Sequence, residues 1–280
     1  MNIKTKSGIG NTRSELIRTS NKSPLRYPGG KTRACKTLDG ILQEHFDIND
    51  FNTIVSPFFG GGSFEFYLQN NYNFKIIAND KFIPLYNFWV TCKTDKERMC
   101  VSLNTKLNTI TKQEFSNLRE RIMNEPDQLR QSIMYFIINR CSFSGATLSG
   151  GFSLEASKKR FTRSSIANIE NLNLARVDMH NLDFEDFINN ERPKSQNILF
   201  LDPPYYLEKA SKLYGNNGDM HDTFDHEQLY KCLSKEKKWV MTYNNCEFIR
   251  ELYKDFTIIE TTWSYGMNKS KESSEIVIIG

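Results

Sequence analysis

Strand-like runs fall in two blocks along the chain: 53–56 and 75–78, then 198–201, 238–242, 256–260 and 275–279. Each is short, apolar or β-branched, and bounded by polar or turn residues, as buried strands are. Thr53-Ile54-Val55-Ser56 passes through Pro57-Phe58-Phe59-Gly60-Gly61-Gly62 into Ser63-Phe64-Glu65-Phe66-Tyr67-Leu68, an apolar, helix-compatible stretch. A strand, a glycine turn and a helix are predicted there. Residues 82–175 are patterned differently. Pro126 can open a helix, after which Leu129, Ile133, Phe136, Ile137 and Cys141 fall at helical spacing on one face. The Gly/Ser-rich stretch 142–152 that follows reads as a loop or an irregular hairpin. Residues 1–22 are polar and read as a leader or an arm. No internal repeat or low-complexity tract interrupts this α/β chain with a helical, loop-rich middle.

The run Asn197-Ile198-Leu199-Phe200-Leu201 leads directly into Asp202-Pro203-Pro204-Tyr205. A carboxylate, two rigid prolines and an aromatic therefore stand at the carboxyl end of a strand, where open α/β sheets bind ligands. This group suits methylation of an amine conjugated to a ring, whose nitrogen is planar, weakly nucleophilic and in need of acceptors for its N–H protons. Asp202 and the Pro203 carbonyl supply acceptors, and Tyr205 offers a ring face to an extruded base. By itself Asp-Pro-Pro also occurs in ordinary turns. The glycine turn lets backbone approach a cofactor beside a helix N-terminus. Its spacing is not Gly-x-Gly-x-x-Gly, yet Lys75-Ile76-Ile77-Ala78-Asn79 ends at Asp80, 18 residues beyond Gly62. A ribose-binding acid is expected about that far along. Without Asp80, three glycines would read as a flexible turn.

A third element, Arg26-Tyr27-Pro28-Gly29-Gly30-Lys31, precedes the first strand. The ordered series aromatic-Pro-Gly-Gly-Lys, Pro-Phe-x-Gly-Gly-Gly, Asn-Asp after a strand and Asp-Pro-Pro-Tyr resembles the Dam-type (D12 class, alpha-group) DNA adenine-N6 methyltransferases. Asn181-Leu182-Asp183-Phe184 and Trp239-Val240-Met241-Thr242-Tyr243-Asn244-Asn245 fit further family motifs, so the resemblance spans residues 23–280. It implies a Rossmann-like α/β sheet, mostly parallel with the last strand antiparallel, carrying an inserted, mainly helical target-recognition domain. The implied division is an arm at 1–22, a catalytic domain at 23–90 and 176–280, and a recognition insert at 91–175. It also implies S-adenosylmethionine as cofactor, S-adenosylhomocysteine as product, double-stranded DNA as partner and no metal. By similarity Tyr27, Gly29, Gly30 and Lys31 border the methionine part, with Lys31 also near DNA phosphate. Pro57, Phe58, Gly60 and Gly62 form the cofactor loop, Asp80 holds the ribose, and Asp183 and Phe184 receive the cofactor's adenine. Asp202, Pro203, Pro204 and Tyr205 handle the target base. One departure stands out: family members often carry an acid just before Pro-Phe, where this chain has Ser56. The methionine ammonium then needs another carboxylate, with Glu65 and Asp202 as candidates.

Composition changes the picture little. The chain has 280 residues, 39% hydrophobic and 25% charged, ordinary for a globular protein. Its 37 basic and 33 acidic side chains leave +4, a weak argument for nucleic acid. The clustering says more: Lys158, Lys159, Arg160 and Arg163 surround Phe161 and several hydroxyls, types that contact phosphates when they are not simply a solvated face. Asn139 and Arg140 end the predicted helix and can read base edges, although an Arg there also complements the helix dipole. The 1–22 arm can likewise touch DNA backbone. The loop Leu213-Tyr214-Gly215-Asn216-Asn217-Gly218 is either a plain surface loop or a closure over the flipped base. His221 and His226 flank Asp222 and Asp225, a pattern assigned to surface or helix capping because transfer from a sulfonium needs no metal. The six cysteines show no metal-ligand spacing and are expected to be reduced. No run reaches the length of a membrane span, so a cytoplasmic, nucleoid-associated monomer is expected, acting beside a cognate restriction endonuclease or alone. The rival readings are a methyltransferase acting on RNA adenine or on cytosine N4, a protein amide methyltransferase, which Asp202 disfavours because glutamine-modifying relatives begin the tetrapeptide with Asn, a non-catalytic DNA-binding paralogue, and a nicotinamide-dependent oxidoreductase, which the glycine spacing disfavours.

Overall fold

The structure, a computed structural model, describes residues 20–27, 29–191, 195–206, 224–263 and 273–280. Seven strands form one sheet: β1 (Thr53–Ser56), β2 (Lys75–Asn79), β3 (Val177–His180), β4 (Asn197–Leu201), β5 (Trp239–Asn244), β6 (Thr257–Trp263) and β7 (Ser273–Ile279), in the order β3-β2-β1-β4-β5-β7-β6. β3, β2, β1, β4 and β5 pair in parallel, and β7 lies antiparallel between β5 and β6. The fold is Rossmann-like, as the resemblance implied.

The apolar runs have a simple cause. In β4, Ile198 and Phe200 enter one core while Leu199 and Leu201 enter the other; Ile54 and Val55 of β1 divide in the same way. A parallel strand covered on both faces cannot alternate apolar with polar residues, so it reads as a continuous apolar run. β3 lacks that signature. It is an edge strand, Val-Asp-Met-His with three of its four positions half-buried, and its pattern is too polar to read as a strand.

Helices cover both faces: α1 (Cys35–His45) and α2 (Ser63–Tyr72) flank β1 in sequence. Six helices lie between β2 and β3: α3 (Ile83–Thr94), α4 (Lys96–Thr105), α5 (Lys112–Arg121), α6 (Gln128–Cys141), α7 (Leu154–Lys159) and α8 (Arg163–Glu170). α9 (Phe184–Asn190), α10 (His226–Leu233) and α11 (Glu247–Leu252) complete those described. α6 begins two residues after Pro126, capped by the Asp127 carboxylate accepting from the Arg130 N–H. It is packed by α3, α4, α5 and α7, so Met134 to Ile138 are all buried and no single apolar face exists. Leu129 and Ile133, expected on the core face, are only half-buried. The stretch after α6 is an irregular hairpin, closed by an antiparallel bridge between Ser142 and Phe152.

Of the expected polar arm, residues 1–19 lie outside the described residues, as do Pro28, the loop 213–218 and His221. Asn21 does not belong to an arm: it is buried, with its amide nitrogen donating to Gln69 Oε1 and to the Asn173 carbonyl, each at 2.7 Å. Among the described residues no helix is long and apolar enough to cross a membrane.

Candidate active site

β1 and β4 are neighbours at the point where the strand order reverses, with β2 and β3 to one side and β5 to the other. The crevice beyond the carboxyl ends of such a pair is the ligand site of open α/β sheets. Both turn motifs leave the sheet there, Pro57–Gly62 after β1 and Asp202–Tyr205 after β4. Between them opens a cavity of about 1070 Å³. Its wall includes Tyr27, Gly29, Gly30 and Lys31, then Pro57, Phe58, Gly60 and Gly62, then Asp80, Asp183 and Phe184, and finally Asp202, Pro203, Pro204 and Tyr205. The fold thus brings every residue expected to touch cofactor or target base into one space.

The glycine turn has one permitted shape. Gly60 and Gly62 adopt φ of +50° and +66°, and a Cβ on Gly60 would sit 2.8 Å from the Tyr27 ring. The Gly60 carbonyl accepts from the Trp89 indole N–H (2.9 Å) and its N–H donates to Asp80 Oδ2 (3.0 Å). Asp80 Oδ1 accepts from the Phe82 N–H (3.0 Å). The Asp80 carboxylate therefore joins the end of β2 to the turn, and burial pushes its pKa up to about 6 despite these two bonds.

On the β4 side, Lys31 Nζ donates to both Asp202 oxygens (2.6 and 2.8 Å) and to the Gly29 carbonyl (2.9 Å). Thr242 Oγ1 donates to Asp202 Oδ1 (2.7 Å). The Tyr205 hydroxyl donates to Glu275 Oε2 (2.7 Å) while its ring stacks on Tyr243, with the Lys31 ammonium 5.2 Å from the ring centroid. Beneath the glycine turn, Ser56 Oγ donates to Glu65 Oε1 (2.6 Å). Glu65 is 2% exposed, and burial pushes its pKa up to about 7.

At the far end, Asp183 caps α9 by accepting from the Glu185 N–H (3.1 Å) and also accepts from Lys81 Nζ (2.8 Å). Partial burial works against its charge, but these partners hold its pKa below the usual carboxylate range. Phe58, Phe184 and Phe224 meet there with ring centroids 5.3 to 5.8 Å apart. An aromatic pocket beside a charged acceptor, a buried carboxylate at the glycine turn and a second buried carboxylate thus line the same cavity. Among the described residues no cluster of His, Cys, Asp or Glu is placed to hold a metal.

Three expected DNA contacts are corrected. Lys31 is 4% exposed and engaged with Asp202, so its ammonium is closed to a phosphate. Asn139 is fully buried: its Oδ1 accepts from the Arg26 N–H (2.9 Å) and its Nδ2 donates to the Arg26 carbonyl (2.8 Å). It pins the segment that delivers Tyr27 and cannot read a base edge. Arg140 spends its guanidinium on the carbonyls of Arg160 (2.7 Å) and Pro24 (3.2 Å). Lys158, Lys159, Arg160 and Arg163 are exposed, around the end of α7 and the start of α8, whereas Phe161 between them is core. Asn139→Ala is expected to cost about 2 to 3 kcal/mol, because it strands a buried N–H and C=O together, and to leave target sequence preference unchanged. Chemical denaturation and a methylation profile over a randomised site check the two halves of that expectation.

Sequence reasoning does not single out Thr242 or Glu275. Thr242 lies inside a recognised motif, and Glu275 carries a signal: it is the one charged residue in Ser-Ser-Glu-Ile-Val-Ile-Ile, and a buried strand keeps such a residue only where it has a partner.

Residues 27–267 match the profile of the D12 class N6 adenine-specific DNA methyltransferases. The type II methyltransferase M.MjaIII of Methanocaldococcus jannaschii is 26% identical over 260 residues, covering 84% of this chain and 88% of the relative. The type II methyltransferase M.CviBI of Paramecium bursaria Chlorella virus NC1A is 22% identical over 262 residues, covering 91% and 96%. The profile takes in the three motifs that converge on the cavity, and the chain belongs to the D12 class N6 adenine-specific DNA methyltransferase family.

Proposed function

We propose that this protein methylates N6 of adenine within a short sequence of double-stranded DNA by direct displacement on an extruded base. The observation that carries this reading is the position of Asp202: oriented by Lys31 and Thr242, it stands in the same cavity as the glycine turn, Asp80 and Asp183. Bound S-adenosylmethionine supplies a methyl group already activated on a cationic sulfur. Asp80 holds the ribose, Asp183 and Phe184 the adenine, and Tyr27, Gly29 and Gly30 border the amino acid end. Asp202 and the Pro203 carbonyl accept the N–H groups of the target amine, drawing its lone pair out of conjugation. The amine becomes acidic only as the new N–C bond forms, so a carboxylate suffices as acceptor. Pro204 keeps the turn rigid, and Tyr205, braced by Glu275 and Tyr243, presents its ring to the flipped base. Positioning and exclusion of water supply the rest.

Recognition belongs to the helical region within 91–175, whose Lys158, Lys159, Arg160 and Arg163 contact phosphates. Arg26 and Arg140 lie behind this cluster: burial, and after it the charge of the neighbouring Arg160, holds both guanidinium pKa values below their usual range. Both relatives are named type II methyltransferases, which supports a modification role beside a restriction endonuclease. Single-molecule sequencing of DNA from cells expressing the gene tests the activity. One short word carrying N6-methyladenine is expected; unmodified DNA or N4-methylcytosine overturns it. Replacing Lys158 and Lys159 together should weaken binding equally for target and non-target duplexes and lower the slope of log affinity against log salt by about 2. An unchanged slope removes them from the interface.

A further inference from the structure

Lys31, Asp202 and Glu65 form a trio at the cavity wall with two carboxylates and one ammonium. Asp202 holds the ammonium in a two-oxygen contact and takes the Thr242 hydroxyl as well. Glu65 receives a neutral hydroxyl, that of Ser56, in a place where it is 2% exposed. The trio is one positive charge short, and the deficit sits on Glu65. A buried carboxylate without a cation is costly, and the open side of this one is the cavity.

We infer that Glu65 is the carboxylate that receives the α-ammonium of the cofactor's methionine moiety. This rests on the cofactor reading above and sharpens it. Glu65 stands in the first turn of α2 and is tied to the last residue of β1 through the Ser56 hydroxyl. Asp202 is the poorer receptor, because Lys31 already neutralises it and its task lies with the target amine. The sulfur is also the poorer partner for Glu65. It must face the target amine beside Asp202, and Glu65 lies below the glycine turn, against Ser56.

The groups facing Glu65 are Lys31 from the segment after Gly30, Cys35 from α1, Ser56 from β1 and Asp202 from the turn after β4. Burial pushes the Cys35 thiol up to about 12, so it stays neutral around Glu65. With Glu65 titrating near 7, an ammonium should bind it better as pH rises through that value. Asp80 titrates near 6, but it meets the ribose of any nucleoside ligand alike.

The test compares two ligands by calorimetry: S-adenosylhomocysteine, which carries the amino acid, and 5′-methylthioadenosine, which lacks it. Glu65→Gln should weaken S-adenosylhomocysteine about 10- to 100-fold and leave 5′-methylthioadenosine within about threefold. In the unmutated protein, the ratio of the two affinities should fall as pH is lowered from 8 to 5.5, a readout that does not depend on the variant folding. Equal losses for both ligands, or a pH-independent ratio, would overturn the assignment. A variant that weakens S-adenosylmethionine but not S-adenosylhomocysteine would move Glu65 to the sulfonium. Failure of the unmutated protein to bind either nucleoside would instead sink the cofactor reading itself.

Discussion

Asp202→Asn is expected to lower methyl transfer by about 10² to 10⁴-fold while S-adenosylhomocysteine binding stays within about tenfold. An amide keeps the outline of the carboxylate but turns one acceptor into a donor, which faces the N–H groups of the target amine or the Lys31 ammonium. Both arrangements are repulsive. Asparagine is the informative replacement because alanine would leave Lys31 nearly alone with its charge in a buried place, at a cost of about 3 to 5 kcal/mol. A loss of activity in Asp202→Ala would then mix chemistry with folding. Glu65, close enough to Lys31 to share its field, softens but does not remove that penalty. Single-turnover kinetics with a duplex containing the target word measures the effect. Retention of more than a few per cent of the rate would take Asp202 out of the reaction.

The second large effect is expected at Asp80. In Asp80→Asn only one side-chain oxygen remains, whereas the carboxylate uses Oδ2 for the Gly60 N–H and Oδ1 for the Phe82 N–H. Whichever way the amide turns, one buried N–H meets an NH₂ group. The glycine turn loses its tie to β2, and the ribose loses a charged acceptor worth about 1.5 to 3 kcal/mol, so S-adenosylhomocysteine affinity should fall roughly 10- to 100-fold. Calorimetry at pH 7.5 checks this, and wild-type affinity would remove Asp80 from the site. The pH dependence follows from the raised pKa of about 6. Between the ordinary carboxylate range and that value, the folded protein holds a proton that the unfolded chain has released. Stability contributed by this group therefore falls as pH rises through that window, by about 3 kcal/mol in all, and Asp80→Asn should flatten the curve. Glu65, raised to about 7, acts in the same direction over a window that reaches higher. A pH dependence of stability that Asp80→Asn leaves unchanged would contradict the assignment for Asp80.

Several features are legible in the sequence because their causes are local. β1, β4, β5 and β7 announce themselves as apolar runs, since a strand buried on both faces has no polar positions to spare. The glycine turn after β1 and the Asp-Pro-Pro-Tyr after β4 are written in residues whose backbone preferences are intrinsic. The order of those motifs is a property of the chain alone, and with it come the family and the set of residues that line the cavity.

The tertiary structure decided which polar groups face each other and which are withdrawn from solvent. Lys31 meets Asp202 across 171 positions in the chain, and Ser56 meets Glu65 only because the glycine turn folds α2 back over the end of β1. Asn139 and Arg140 look available as residues at a helix end. They are spent on the backbone of Arg26, Pro24 and Arg160 because α6 is the helix that four others pack against. β3 stays hidden because an edge strand can be polar. Residue type and spacing determined the turns, the doubly covered strands and the chemical inventory of this protein. Burial and pairing required the whole sheet and its helices, because a side chain's solvent exposure and charge balance are set by neighbours that its own stretch of sequence does not contain.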